Sequence, residues 1–285
     1  MIGDRPSRTA QRVGMRRAIH QIWDDPRVLD DPLAVKIIGH DAAAEVSGAR
    51  PSDSLPSLFL RAFLVARSRY AEDQLARAVD HGVKQYVILG AGLDTFAYRS
   101  PFAEVRVFEV DHPATQAWKR GRLEEVGISV PASLTFAPLD FEKDTLSEGM
   151  TRSGFKREEA AFFSWLGVTP YLVRETVLGT LEWIISSCSH NAVTFDYAVP
   201  RESLNFISRM AFDALAARVA AAGEPFVGFF DPEDLARELG SMGFVNLEDL
   251  GAEEINFRYF TDRADNLRVG GPARLMCARG RWPSG

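Results

Sequence analysis

The sequence is poor in cysteine. Its 285 residues hold two, Cys188 and Cys277, both in apolar surroundings (ISSCS and RLMCA). Two such residues can build neither a disulfide framework nor a Cys-rich metal site, so a reducing cytoplasm is the expected compartment. No run reaches the roughly 18 consecutive apolar residues of a membrane span. The N-terminal stretch has arginines but no apolar core or cleavage pattern, which excludes a secretory signal as its reading. A basic excess is also missing. Lys and Arg number 33 against 39 Asp and Glu, a net charge of −6 with the cations scattered, which argues against a nucleic-acid partner. The histidines, His20, His40, His81, His112 and His190, show no metal-ligand spacing such as H-E-x-x-H, so no metal is expected. No G-x-S-x-G elbow supports a serine hydrolase.

What is present describes an ordinary globular chain, 46% hydrophobic and 25% charged, long enough to bury a substantial core. Residues 8–23 read as a helix. Asp24-Asp25-Pro26 and Asp30-Asp31-Pro32 are turn or N-cap signals, with Pro opening a short helix from Pro32 to Ile38 that stops at Gly39. Gly48 to Pro56 reads as an exposed loop, followed by a long amphipathic helix over Leu58 to His81 with Gly82 as its stop. From there strands at 85–90, 105–110, 134–138, 160–166, 191–197, 244–250 and 273–279 alternate with helices at 113–126, 171–188, 203–222 and 232–242. Such alternation predicts an α/β fold around a mostly parallel sheet. The expected organisation is one domain over 1–285. Residues 1–80 form a helical lid on a core of 81–285, and 200–232 are a cap inserted after the fifth strand.

The chemistry begins at YVILGAGLD, Tyr86 to Asp94, followed about twenty residues on by VRVFEVD, Val105 to Asp111. A buried strand enters a glycine turn, and the next strand ends in carboxylates. In open α/β sheets this is where a nucleoside-containing ligand binds, with a strand-end carboxylate on the ribose hydroxyls. Gly90 and Gly92 permit the close turn. The dinucleotide pattern G-x-G-x-x-G fails, because Thr95 stands at the third glycine position and Asp94 would repel a pyrophosphate. S-adenosylmethionine has no phosphate and carries a cationic amine, so the residues favour it as the cofactor. The residues alone also leave open a turn that merely joins strand to helix, and, more distantly, an NAD-dependent dehydrogenase.

YVILGAGLDTFAYR with VFEVDHP, preceded by ARSRYAED, resembles the leucine carboxyl methyltransferase superfamily, and within it the bacterial S-adenosylmethionine-dependent O-methyltransferases that include polyketide carboxyl methyltransferases. The similarity runs from Ser7 to about Arg279. It implies a class I methyltransferase, Rossmann-like, with a seven-stranded sheet whose last strand is antiparallel. It implies that Arg67 pairs with the methionine carboxylate, with Arg69 the weaker candidate. Gly90 and Gly92 would line the methionine and ribose, Asp94 would sit near the amine, and Asp111 would hold the ribose hydroxyls. Glu109 would be structural or lie behind the site. Asp140 would accept from the adenine amine, and the backbone N–H of Phe141 would donate to a ring nitrogen. Many relatives carry a Glu near the end of the fourth strand, where this chain has Trp165 and Leu166. Gly167 to Tyr171 would face the transferring methyl group.

An O-methyltransferase positions its acceptor with a cation or hydroxyls, and uses a base if the acceptor is an alcohol or phenol. The candidates for these tasks are Thr169, Tyr171, His112, Arg16 and Arg17. His112 could alternatively line the adenine or cap the next helix. Phe226, Phe229 and Phe230, joined by Trp165 and Phe206, are candidates for an apolar pocket. The expected acceptor is a small apolar or aromatic metabolite bearing a carboxyl or hydroxyl, of the kind found in secondary metabolism. The expected assembly is a monomer or homodimer. The alternatives are a non-catalytic cofactor-binding regulator and a methyltransferase of a protein C-terminal carboxyl.

Overall fold

The structure, a computed structural model, describes residues 8–48, 54–140, 144–204, 206–221 and 225–282. Its centre is a seven-stranded sheet in the order β3-β2-β1-β4-β5-β7-β6. The strands are β1 (Gln85–Leu89), β2 (Arg106–Asp111), β3 (Leu134–Pro138), β4 (Ala161–Trp165), β5 (Asn191–Ala198), β6 (Asn246–Leu250) and β7 (Ala273–Arg279). All neighbours pair in parallel except β7, which runs antiparallel to both β5 and β6. This is the expected α/β arrangement. The strand order reverses between β1 and β4, and ligands bind beyond the carboxyl ends at such a switch point.

Burial on both faces explains the near-continuous apolar strands. β1, β4 and β5 are buried at every position. One face carries Val87, Phe108, Phe163, Phe195 and Tyr197 against α6 (Leu146–Arg152), α7 (Arg174–Ser187) and α9 (Pro232–Met242). The other carries Tyr86, Ile88, Val107 and Phe162 against α4 (Leu55–Asp80).

Helix α4 is covered on more than one side, which is why every residue from Arg61 to Ser68 is buried. The sheet lies beneath it, and α1 (Arg8–Trp23), α2 (Ala34–Ile37) and α3 (His40–Gly48) form a further layer that also packs on α5 (Pro113–Glu125) through Ala18, Ile37, Val46 and Leu123. This layer is pinned by ions. Asp24 accepts from Arg61 at 2.8 and 3.0 Å and from the His20 ring Nδ1 at 2.9 Å. The Nε2 of His20 accepts the N–H of Val28 at 3.0 Å, which fixes the tautomer. Asp31, wholly buried, lies between Arg17 and Arg99.

The aspartate doublets therefore do more than turn the chain. In each pair one member is exposed (Asp25, Asp30) and the other buried with a cation (Asp24, Asp31). The expected helix start at Pro32 is corrected: Pro32 and Leu33 are turn, and α2 opens at Ala34. The loop expected over Gly48 to Pro56 is also narrower. Gly48 closes α3, α4 opens at Leu55, and 49–53 lie outside the described residues.

Burial alone would raise the Asp31 carboxyl, but Arg17 and Arg99 more than offset it and hold it below the ordinary range. Asp24 is lowered in the same sense, burial being outweighed by His20 and Arg61. A folded-state pKa below the unfolded one gives stability that is complete above the unfolded value, about 3.9 for Asp, and that is lost as pH falls through the folded value. Thermal unfolding followed by circular dichroism is therefore expected to lose stability below about pH 4. The Asp31→Asn variant should show a smaller acid dependence than the parent, and an equal dependence would contradict the assignment.

Candidate functional site

At the switch point β1 ends in Gly90-Ala91-Gly92. The N–H groups of Gly90 and Ala91 donate to the carbonyl of Val110 at 2.8 and 3.2 Å, so the turn is tied to β2. Gly90 has φ +71°, and a Cβ there would lie 2.5 Å from Val168 Cγ2, so both the backbone and the space demand glycine. A Cβ on Gly92 would meet the methyl of Ala10 at 3.1 Å. Helix α1 thus lies directly over the turn, and Val168 closes it from the β4 side.

Asp111 ends β2. One of its oxygens accepts the N–H of Gly92 at 2.6 Å and the other its neighbour His112 N–H at 2.7 Å. Burial raises its pKa against the pull of these two backbone bonds. Its carboxylate is half-buried and can still accept from a diol. Glu109 shares its face of β2 but is fully buried, and its salt bridge to Lys119 is 2.7 Å long. Burial pushes the Glu109 carboxyl up to about 7 despite Lys119. The pair of carboxylates therefore divides, with Glu109 in the core and Asp111 at the mouth.

Asp94 accepts the N–H of Phe96 at 2.7 Å and stands 3.5 Å from Arg17. The Thr95 hydroxyl donates to Asp31 at 2.6 Å and accepts from Arg17 at 3.0 Å. The residue that breaks the dinucleotide pattern is thus a joint between the turn and the N-terminal layer.

This corrects the expectation for Arg17. It is buried with Asp31, Thr95 and Asp94 as partners, which makes it part of the joint between α1 and the glycine turn. Arg16 is half-buried and donates to the carbonyl of Arg12. The expectation for Thr169 is also corrected, since its hydroxyl is buried and donates to the backbone carbonyl of Asp196. His112 caps α5: its Nδ1 accepts the N–H of Ala114 at 3.2 Å. Of its expected roles, the helix cap is the one this bond shows.

Arg67, on α4, reaches the end of β4. It donates to Asp196 at 3.0 Å, and a Cβ on Gly167 would lie 2.6 Å from its guanidinium. Arg69 points away and pairs with Asp73 on the surface. Asp140 lies half-buried just past β3, its N–H donating to Asp144 at 3.3 Å. Phe141 lies outside the described residues.

Beyond β4 the chain turns through Thr169–Tyr171. The N–H groups of Val227 and Gly228 donate to the carbonyl of Pro170 at 2.8 and 3.0 Å, docking the segment after α8 (Phe206–Ala221) onto this turn. Tyr171 packs on Phe226 with ring centroids 5.3 Å apart, and Phe212 packs on both Phe226 and Phe229. Phe212 joins this group unforeseen, and three expected members, Trp165, Phe230 and Phe206, do not belong to it. Trp165 and Phe230 belong to the buried core, and Phe206 is 75% exposed.

The sequence reading also missed Asp196. The signal was available, because an acid within the wholly buried strand NAVTFDYA demands a partner. Among the described residues no group of three or more His, Cys, Asp or Glu could hold a metal, and no helix is long and apolar enough to cross a membrane. A separate cavity of about 280 Å³, between Gln74, Arg77, His81, Arg279 and Trp282, lies at the opposite end of the sheet, where β4 and β5 begin.

The residues at the carboxyl edge fit S-adenosylmethionine. A strand-end carboxylate is held by two backbone amides, a glycine turn permits close approach, and a guanidinium stands across the switch point. The chain is 32% identical over 275 residues to a Bacillus subtilis protein, YktD, whose name describes an S-adenosyl-L-methionine-dependent methyltransferase. The match covers 88% of this chain and 90% of that one. A Saccharopolyspora erythraea protein with the same description is 30% identical over 249 residues, covering 85% and 77%. Among solved structures, a methyltransferase from Thermobifida fusca shares the fold at TM-score 0.59 and 14% identity, over 98% of this chain and 97% of that one. The sequence profile of leucine carboxyl methyltransferase matches residues 10–185, more than half of the chain, and with the Bacillus relative it places this protein in the leucine carboxyl methyltransferase family.

Proposed function

We propose that the protein is an O-methyltransferase whose acceptor is a small apolar or aromatic molecule bearing a carboxylate or hydroxyl, held between the Gly167–Tyr171 turn and residues 225–230. Its family and relatives make it an S-adenosyl-L-methionine-dependent methyltransferase. The observation that carries the acceptor reading is the aromatic group Tyr171, Phe212, Phe226 and Phe229 at the edge where β4 and β5 end.

When bound, S-adenosylmethionine supplies a methyl group on a sulfonium sulfur, open to in-line displacement. The chain's own residues bind and orient. Asp111 accepts from both ribose hydroxyls, and Asp140 accepts from the adenine amine. Arg67 gives N–H groups to the methionine carboxylate, for which its planar fork is suited. Asp94, 3.5 Å from Arg17, faces the cofactor amine. Helix α1 acts as a lid on the glycine turn, and the aromatic group keeps water from the methyl path. Tyr171 is the remaining hydroxyl candidate for positioning the acceptor oxygen. An acceptor carboxylate needs no base, being ionised already at neutral pH.

Incubation with methyl-labelled cofactor and a panel of aromatic and aliphatic acids and phenols tests this. Alkali-labile label identifies a methyl ester, stable label a methyl ether, and label entering only peptides with a free C-terminal carboxyl would contradict the small-molecule reading. Phe226→Ala is expected to raise the acceptor KM about tenfold, the size of one lost aromatic contact. Cofactor affinity should not change. An equal loss of cofactor affinity would place Phe226 elsewhere in the mechanism.

A further inference from the structure

The carboxyl end of β4 has Trp165 and Leu166 and no acid, and the neighbouring strand supplies one. Asp196 is 3% exposed, and both of its oxygens are engaged. One accepts the N–H of Gly167 at 2.5 Å, and the other accepts from Arg67 at 3.0 Å. The carboxylate therefore ties the main chain of the β4 turn to the guanidinium of α4. Gly167 has φ +73°, and its missing Cβ is what allows Arg67 to lie against the turn.

An arginine on a flexible stem loses rotamer freedom when it grips a ligand, and one already held loses less. A buried guanidinium also needs a counter-charge before any ligand arrives, and Asp196 provides it. Its negative charge weakens the Coulomb attraction of Arg67 for an incoming carboxylate, so its contribution is direction rather than added charge.

We infer that Asp196 is a positioning residue, which aims the guanidinium of Arg67 at the methionine carboxylate of the cofactor without touching the cofactor itself. This rests on the reading of Arg67 given above. It makes the amino-acid end of the cofactor the part that Asp196 serves, and leaves the adenosine end to Asp111 and Asp140.

Titration calorimetry of the full chain with two ligands tests it. S-Adenosylhomocysteine carries the amino-acid carboxylate, and 5′-methylthioadenosine has the same nucleoside and thioether without it. Asp196→Asn is expected to weaken S-adenosylhomocysteine binding about tenfold, the size of the ordering cost that binding must then bear, and to leave 5′-methylthioadenosine unchanged. Arg67→Lys should give the same pattern, and the double variant should be no worse than Arg67→Lys alone. Gly167→Ala, which pushes Arg67 from the other side, gives the same ligand pattern and serves if Asp196→Asn does not fold. Equal losses on both ligands, or no loss on either, with Arg67→Lys still selective, overturn the inference alone. If Arg67→Lys is not selective either, the reading of Arg67 falls and the inference with it.

Discussion

Replacing Asp111 by alanine is expected to weaken S-adenosylmethionine binding about ten- to hundredfold while the chain stays folded. A hydrogen bond to a charged group contributes about 1.5–3 kcal/mol, which converts to that range. The carboxylate sits half-buried at the end of β2, outside the apolar clusters of the sheet, so its loss opens no core cavity. It also frees the N–H of Gly92, which loosens the turn the cofactor rests on. Isothermal titration with S-adenosylhomocysteine measures the effect. A folded variant with unchanged affinity removes the ribose role from Asp111 and leaves the glycine turn as a simple connection.

The second large effect falls on stability. Asp31→Ala leaves the buried Arg17 without its main carboxylate partner, takes one of two carboxylates from the half-buried Arg99, and takes an acceptor from Thr95. Breaking a buried ion pair from one side costs about 3–5 kcal/mol, because the surviving charge keeps its desolvation penalty. Urea unfolding should show this as a lower midpoint with an unchanged slope. The contrasting variant is Asp213→Ala. Its partner Arg201 is also exposed on the surface, and no measurable loss is expected. Comparable losses in the two variants would mean that the N-terminal layer is not held by its buried ions.

The strands were the legible part of the fold. Burial on both faces writes them as apolar runs between turn residues, and all seven fall within two residues of their expected ends. Where a boundary moved, a local bond explains it. β6 was expected from 244 and opens at Asn246, because Gly243 ends α9 at φ +109° and Phe244 still donates to the carbonyl of Leu239. Helix α7 was expected from 171 and opens at Arg174, because Thr169–Tyr171 forms its own turn. Helices α3, α6 and α10 (Ala252–Tyr259) were not foreseen. They are short, and although Thr145 and Glu148 form a capping box at α6, such a signal is weak without a long periodic run behind it.

The site was legible where a motif carries its own geometry. A glycine turn and a strand-end acid lie close in sequence and are joined by one parallel pair of strands, so Gly90, Gly92 and Asp111 could be placed together. Arg17 and Asp31 could not. Asp31 reads as part of a turn signal and Arg17 as a candidate to hold the acceptor, and only packing of α1 against the turn buries both together. Asp196 lies 129 positions from Arg67, and the bond between them depends on which strand neighbours β4.

The central claim is that the methyl donor sits at the carboxyl edge between β1 and β4. The most direct measurement is a crystal structure with S-adenosylhomocysteine. The account predicts the ribose hydroxyls on Asp111, the adenine beside Asp140 and the amino-acid carboxylate on Arg67. Ligand density in the cavity between Arg77, Arg279 and Trp282, with the glycine turn unchanged, would contradict it.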